Sequence, residues 1–219
     1  ERARRFARCR VEYVPGVGVD FSRFVAVKCR DAKRAELGLV DGDFAILSVG
    51  DLISRKNQAA IVRALPLLPD SVKLIVCGEG SEKKNLLSLA AGLGVADRVS
   101  LLGFRDDIAD IMAVCSCLVF PSIHEGLPVS VMEAMAVGLP VVASSIRGID
   151  PDLLSDRESG ILLPDAEPSS IAGAVSELIV DPELRTRLAE GSVASVRRFG
   201  LEEALAATSR IYEGGGARC

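Results

Sequence analysis

Histidine occurs once in these 219 residues, at position 124, and the six cysteines (Cys9, Cys29, Cys77, Cys115, Cys117 and Cys219) include no Cys-x-x-Cys pair. One imidazole without a thiol cluster argues against a zinc site built from protein ligands. The cysteine spacing forms no disulfide scaffold either. Cys77 and Cys117 fall inside apolar runs, where a free thiol acts as a small hydrophobe, so a reduced, cytoplasmic protein is expected. No apolar run approaches the roughly 18 residues needed to cross a bilayer. The opening residues are not expected to act as a signal peptide. Charge of one sign is also scarce: 26 Lys and Arg against 30 Asp and Glu leave a net −4. That balance offers no electrostatic case for nucleic acid as a partner.

What the chain does contain is apolar residues, 49% of the total, enough for a sizeable core. The length suggests one large domain, or one domain with extensions. Short apolar runs at residues 44–49, 72–77, 99–102, 117–120 and 141–143 are bounded by Gly or Pro, with a weaker sixth run at 161–163. Helix-length segments lie between them, at 58–68, 82–93, 107–114 and 129–136. More follow at 169–179, 182–198 and 201–212. Continuous apolar strands alternating with helices indicate an α/β fold, a parallel sheet of about six strands covered on both faces. Right-handed crossovers make it doubly wound and Rossmann-like. Ligands of such sheets bind beyond the carboxyl ends of the strands. Gly50, Gly78, Gly103, Ser122 and Ser144 all follow strand ends and are expected on one rim.

The segment from Pro121 to Pro140, PSIHEGLPVSVMEAMAVGLP, is the most informative. It places two carboxylates, Glu125 and Glu133, eight residues apart around a Gly-x-Pro turn that starts a helix. Pro128 suits the first helical position, where its missing N–H is no loss. The free amides of the first turn favour an anion. Glu133 falls about five residues into the helix, roughly 8 Å along at 1.5 Å per residue. An anion-binding turn with an acid on either side spans the length of a nucleoside diphosphate joined to a sugar.

This segment resembles the E-x7-E motif of the retaining family 4 glycosyltransferases, which have the two-domain GT-B fold. The resemblance runs from about Val11 to Tyr212. It includes Ser48-Val49-Gly50 with Lys56-Asn57 after it, Val76-Cys77-Gly78-Glu79-Gly80, Leu102-Gly103-Phe104 and Pro140-Val141-Val142-Ala143-Ser144. It continues through Ile146-Arg147-Gly148 and Ser159-Gly160-Ile161-Leu162-Leu163. The resemblance implies a connection between domains at 1–25, a donor-binding domain at 26–200, and a C-terminal helix and tail at 201–219. Nothing in the chain reads as the family's acceptor-binding domain, so the sequence is expected to be one half of a GT-B enzyme, inactive alone. The ten opening residues carry five arginines and read as a solvated segment; the resemblance also allows contact with the inner face of a membrane.

Roles follow by position. Glu133 would accept hydrogen bonds from ribose hydroxyls, and Glu125 would lie at the donor sugar or its phosphates. Gly126 and Leu127 would offer backbone amides to the distal phosphate. Lys56 would be the cation that stabilises the departing diphosphate. The family usually places an Arg directly after the glycine of the first strand, where this chain has Asp51, which cannot bind phosphate. Arg55 is the candidate replacement, although adjacent residues of a helix point in different directions. Gly50, Gly78 and Gly103 would let backbone approach the nucleotide. Phe104 and Arg105 belong to the loop that approaches the base in the family. From the residues alone Phe104 fits the core better, and Arg105 fits a solvated loop charge equally well. His124 fits a local structural role. Asp106-Asp107 looks like an acidic metal pair but is explained by a helix N-cap. No metal or other cofactor is expected.

The resulting expectation is transfer of a sugar, with retention, from a nucleoside diphosphate donor. UDP is the expected carrier, and the acceptor is a glycan or lipid-linked hydroxyl in polysaccharide biosynthesis. The paired acids read as ribose and sugar contacts, not as the carboxylates of a glycosidase, which flank the scissile bond. Two alternatives stand beside it: another GT-B enzyme, such as a nucleotide-sugar epimerase or a phosphorylase, and a non-catalytic nucleotide-binding domain in which Asp51 marks lost phosphate affinity.

Overall fold

A computed structural model of the chain describes residues 18–24 and 29–214. The arginine-rich opening, residues 11–15 of the expected connection and most of the glycine tail lie outside them. Six strands form one parallel sheet: β1 (Phe44–Val49), β2 (Val72–Cys77), β3 (Val99–Gly103), β4 (Cys117–Phe120), β5 (Val141–Ser144) and β6 (Ile161–Leu163). Their order is β3-β2-β1-β4-β5-β6. The chain starts near the middle, builds β2 and β3 on one side, then returns to lay β4 against the other side of β1. Ile46 pairs with Cys117, and Leu47 with Leu118. Strand order reverses between β1 and β4, a switch point of the kind beyond whose carboxyl ends ligands of such sheets bind.

Eight helices pack around the sheet among the described residues: α1 (Arg30–Glu36), α2 (Gln58–Ala64), α3 (Lys83–Gly92), α4 (Ile108–Val114), α5 (Val129–Ala136), α6 (Pro168–Val180), α7 (Pro182–Val196) and α8 (Leu201–Gly214). Successive strand residues face opposite sides. Ile46, Leu74, Val119 and Val142 join a core with Ile61 of α2, Leu86 of α3, Val175 of α6 and Leu188 of α7. Leu47, Ile75, Leu118 and Phe120 join a second core with Met112 of α4 and Met132 and Met135 of α5. The sheet is therefore apolar on both faces, which is why its strands read as unbroken apolar runs.

The expected elements are present, with shifted ends. β3 extends to Gly103 and β5 to Ser144. The helix expected at 58–68 stops at Ala64 and tightens into a 3-10 turn, Leu65–Leu67, because Pro66 lacks the N–H of a continuing helix. α1 and a 3-10 turn at Phe21–Phe24 were not anticipated. The α1 sequence, RDAKRAE, has no apolar residue larger than its two alanines and offers no apolar period to read. Near the termini, the Val19 amide donates to the Phe199 carbonyl at 2.9 Å and the Leu201 amide donates to that of Val19 at 3.0 Å. Residues 18–24 thus lie against the start of α8.

Candidate functional site

The site begins where β1 and β4 end side by side. After Gly50 the chain forms a 3-10 turn, Ser54–Lys56, closed by Asn57 in the left-handed region (φ 54°), and α2 follows. After β4 come the buried Pro121 and Ser122 and a turn, residues 123 to 126, in which Ile123, His124 and Gly126 are exposed and Glu125 is partly buried. One backbone hydrogen bond joins the two loops: the Ile123 amide donates to the Arg55 carbonyl at 2.9 Å. Each loop therefore fixes the height of the other.

Glu125 is the centre of this junction. Its Oε1 lies 2.9 Å from Arg55 Nη1 and 2.9 Å from Lys56 Nζ, and the side chain is 9% exposed. Arg55 Nη1 also donates to the His124 carbonyl at 2.6 Å, while His124 itself is exposed. Lys56 Nζ stands 4.8 Å from the centroid of the Phe120 ring, a cation–π contact that holds the lysine at the strand ends. Arg55 and Lys56 therefore do not point apart as adjacent residues of a helix would. They share one tight turn and not a regular helix, and both long side chains converge on a single oxygen. Asp51, in contrast, is exposed and serves through its carbonyl, which accepts from Gln58 Nε2 at 3.1 Å.

The rim glycines divide by what they touch. A Cβ on Gly78 would stand 2.0 Å from the Gly50 carbonyl oxygen, so the β2–α3 turn packs its bare backbone on the loop after β1. Gly50 lies under the Lys56 side chain, whose Cε would be 3.3 Å from an added Cβ. Gly103 meets only Glu79 Oε1, at 3.6 Å. Gly126 is exposed and a Cβ there would meet nothing within 4 Å, while Leu127 is half-buried. Pro128 occupies the N-cap of α5, one residue before the first helical position expected for it, because its extended backbone (ψ 104°) has not yet turned into the helix. The hydroxyls of Ser122 and Ser144, beside the ends of β4 and β5, are buried and find no hydrogen-bond partner among the described residues.

Glu133 lies on α5 and lines a cavity of about 280 Å³ with Arg23, Phe24, Phe104, Arg105, Asp106, Ile108 and Ala109. Burial raises its pKa, and the charge of Arg23 offsets part of that rise. Phe104 is 79% exposed, so the expectation that it belongs to the core is overturned: its ring stands at the cavity mouth. Arg105 is not a solvated charge either. It donates to both oxygens of Asp107 and to Glu36 Oε1 (2.6 Å), and Lys33 bridges the same two acids. Asp107 holds the N-cap position of α4, but no helix amide bonds to its side chain; the carboxylate pairs with Arg105 and Lys33 instead. Arg23, Phe24, Lys33 and Glu36 were not found by sequence reasoning. They reach the site from segments with no motif, and only long-range packing brings them there. Among the described residues, no three His, Cys, Asp or Glu side chains gather as metal ligands, and no helix is long and apolar enough to cross a membrane.

Residues 30–193 match the family model of the glycosyl transferases group 1. The chain belongs to this family. It is 34% identical over 212 residues to a D-inositol 3-phosphate glycosyltransferase of Streptomyces bingchenggensis, which covers 89% of this chain and 46% of the relative. It is also 34% identical over 171 residues to the lipopolysaccharide core biosynthesis glycosyltransferase LpsE of Rhizobium meliloti, covering 77% of this chain and 49% of that one. The chain thus spans about half the length of the curated relatives it matches. Among solved structures, Anabaena HepE in complex with UDP and glucose superposes with a TM-score of 0.83 at 26% identity, over 92% of this chain and 55% of HepE. The sucrose-phosphate synthase of Thermosynechococcus elongatus, at 24% identity, shares the fold with a TM-score of 0.85. The group 1 transferase fold is thus the Rossmann-like layer seen in GT-B glycosyltransferases.

Proposed function

We propose that this chain is the donor-binding half of a retaining glycosyltransferase. In this reading the enzyme moves a sugar from a nucleoside diphosphate, UDP first among candidates, to a hydroxyl of a glycan or lipid-linked acceptor held by an N-terminal domain. The observation that carries the proposal is the convergence of Arg55 and Lys56 on one point at the β1/β4 switch, with the Glu133 cavity further along the same rim. Two fixed cations meet the charge that develops as the diphosphate leaves, and in a site partly withdrawn from water they count for more than in bulk. No protein-bound metal is needed for that task.

The remaining roles extend the same reading. Glu133 accepts the ribose hydroxyls, and the base enters the cavity between Phe104, Arg105 and Phe24. The amides of Gly126 and Leu127 face the distal phosphate where no side chain obstructs approach. Glu125 lies beside the sugar. HepE, a relative whose structure holds UDP and glucose, supports UDP as the first donor to test. Calorimetric titration of the chain with UDP, GDP and ADP tests the reading. We expect saturable binding of UDP, weakened about a hundredfold in Glu133→Ala, which removes a charged hydrogen-bond acceptor worth up to about 3 kcal/mol. Absence of binding to all three diphosphates defeats the proposal.

A further inference from the structure

We propose that Glu125 is an internal competitor of the donor's phosphates, so that it selects the sugar-bearing donor over the bare nucleoside diphosphate left after transfer. The inference rests on the donor-site reading above and adds a role for one carboxylate.

Glu125 Oε1 takes the two cations of the β1–α2 loop, Arg55 and Lys56, at 2.9 Å each. A phosphate that binds these cations must take them from the carboxylate, because the same N–H groups cannot serve both anions in full. The Glu125 side chain is 9% exposed with both cations on it, and a phosphate that draws them away takes their place in covering it from water. A carboxylate left there without partners is costly, more so than the lost attraction alone suggests. It must therefore be paired again by something that arrives with the ligand.

A nucleotide sugar brings such a partner. Its hydroxyl groups are hydrogen-bond donors attached next to the distal phosphate, within reach of the turn that carries Glu125. Gly126 leaves this side of the turn open, since a Cβ there would meet nothing within 4 Å. UDP alone takes the two cations and returns no donor to the carboxylate. Glu125 thus penalises the product and not the substrate. Once the sugar has gone, the carboxylate recovers Arg55 and Lys56 and pushes the diphosphate out. A residue that only touched the sugar would lack this second effect.

The test compares UDP with UDP-glucose by calorimetry on the 219-residue chain and on Glu125→Gln, which keeps shape and loses charge. The proposal expects Glu125→Gln to bind UDP about five- to tenfold more tightly than the wild-type chain, a gain typical of removing one competing charge. UDP-glucose should gain nothing or lose affinity, so the ratio of the two dissociation constants falls. Asp51→Asn removes an acid of the same sign from the same loop, but one that pairs with neither cation, and should leave UDP affinity within about twofold. Unchanged or weaker UDP binding in Glu125→Gln overturns the proposal, as does an equal gain in Asp51→Asn. Glu125→Ala supplies the same comparison should the Gln variant fold poorly, as judged by circular dichroism. If the wild-type chain binds neither ligand, the donor-site reading itself fails, which is a separate result.

Discussion

Cys77 and Cys117 lie on opposite faces of the sheet, 2% and 0% exposed, and burial pushes both thiols up to about 12. Burial raises Cys115 as well. A thiol held that far above its ordinary value presents almost no thiolate near neutrality. Peptide mapping after brief treatment with iodoacetamide at pH 8 should find these three unmodified in the folded chain and the exposed Cys29 labelled; labelling of Cys77 or Cys117 at the rate of Cys29 would contradict the burial. Glu133 shows the same physics in a carboxylate. Burial raises its pKa. An acid raised in the folded state favours folding below its unfolded value, about 4.3, and opposes it increasingly as pH rises above that. At neutral pH Glu133 therefore weakens the fold slightly. The place of Glu133 on the helix that follows the Glu125 turn was legible from the sequence. Its neighbours Arg23 and Phe24 were not, since residues far apart in sequence leave no local pattern when they meet.

At the scale of elements, the site is built from turns that touch each other through bare backbone. Gly78 has φ 147°, and a Cβ on it would overlap the Gly50 carbonyl oxygen at 2.0 Å. Gly148 (φ 91°) sits equally close to the Gly126 carbonyl, packing the loop after β5 beneath the Glu125 turn. Gly78→Ala should lower stability by about 3 kcal/mol, from backbone strain plus overlap. Gly126→Ala, in open space, should stay within about 0.5 kcal/mol. Urea denaturation curves measure both, and equal midpoints would show that the contact is not tight. The sequence showed Gly78 at a strand end, Gly126 in the turn before α5 and Gly148 only as part of a matched segment. It did not show that Gly78 and Gly148 face protein while Gly126 faces outward. The Ser54–Lys56 turn teaches the same lesson. Asp51 stands where the family usually has an Arg if positions are matched one by one, yet the turn brings Arg55, four residues later, to Glu125 beside Lys56.

Across the whole molecule, a charge network joins α1 to the β3–α4 loop. Asp107 pairs with Arg105 and Lys33, and Glu36 pairs with both as well. The Arg105 guanidinium, followed by Lys33, holds the Asp107 carboxyl well below the usual carboxylate range. A lowered acid stabilises the fold above its unfolded value, about 3.9, and that contribution drains away as pH falls below it. Urea midpoints measured from pH 7 to pH 3 should therefore fall more steeply for the wild-type chain than for Asp107→Asn, with the gap between them closing below about pH 4. A gap independent of pH would mean that the pairing adds nothing to the native state. The sequence by itself determined the six-stranded parallel layer, the family and the acid pair at the rim. Strand runs apolar on both faces, their alternation with helices and the turn glycines are local patterns, and local patterns are written in neighbouring residues. Only the tertiary structure decided which side chains meet: that Arg55 joins Lys56 on Glu125, that Phe104 stands at a cavity mouth and not in the core, and that Arg105 is tied to α1. Those outcomes depend on where β4 returns beside β1 and on segments more than sixty residues apart, and contacts at such separations are set by packing, which no spacing along the chain records.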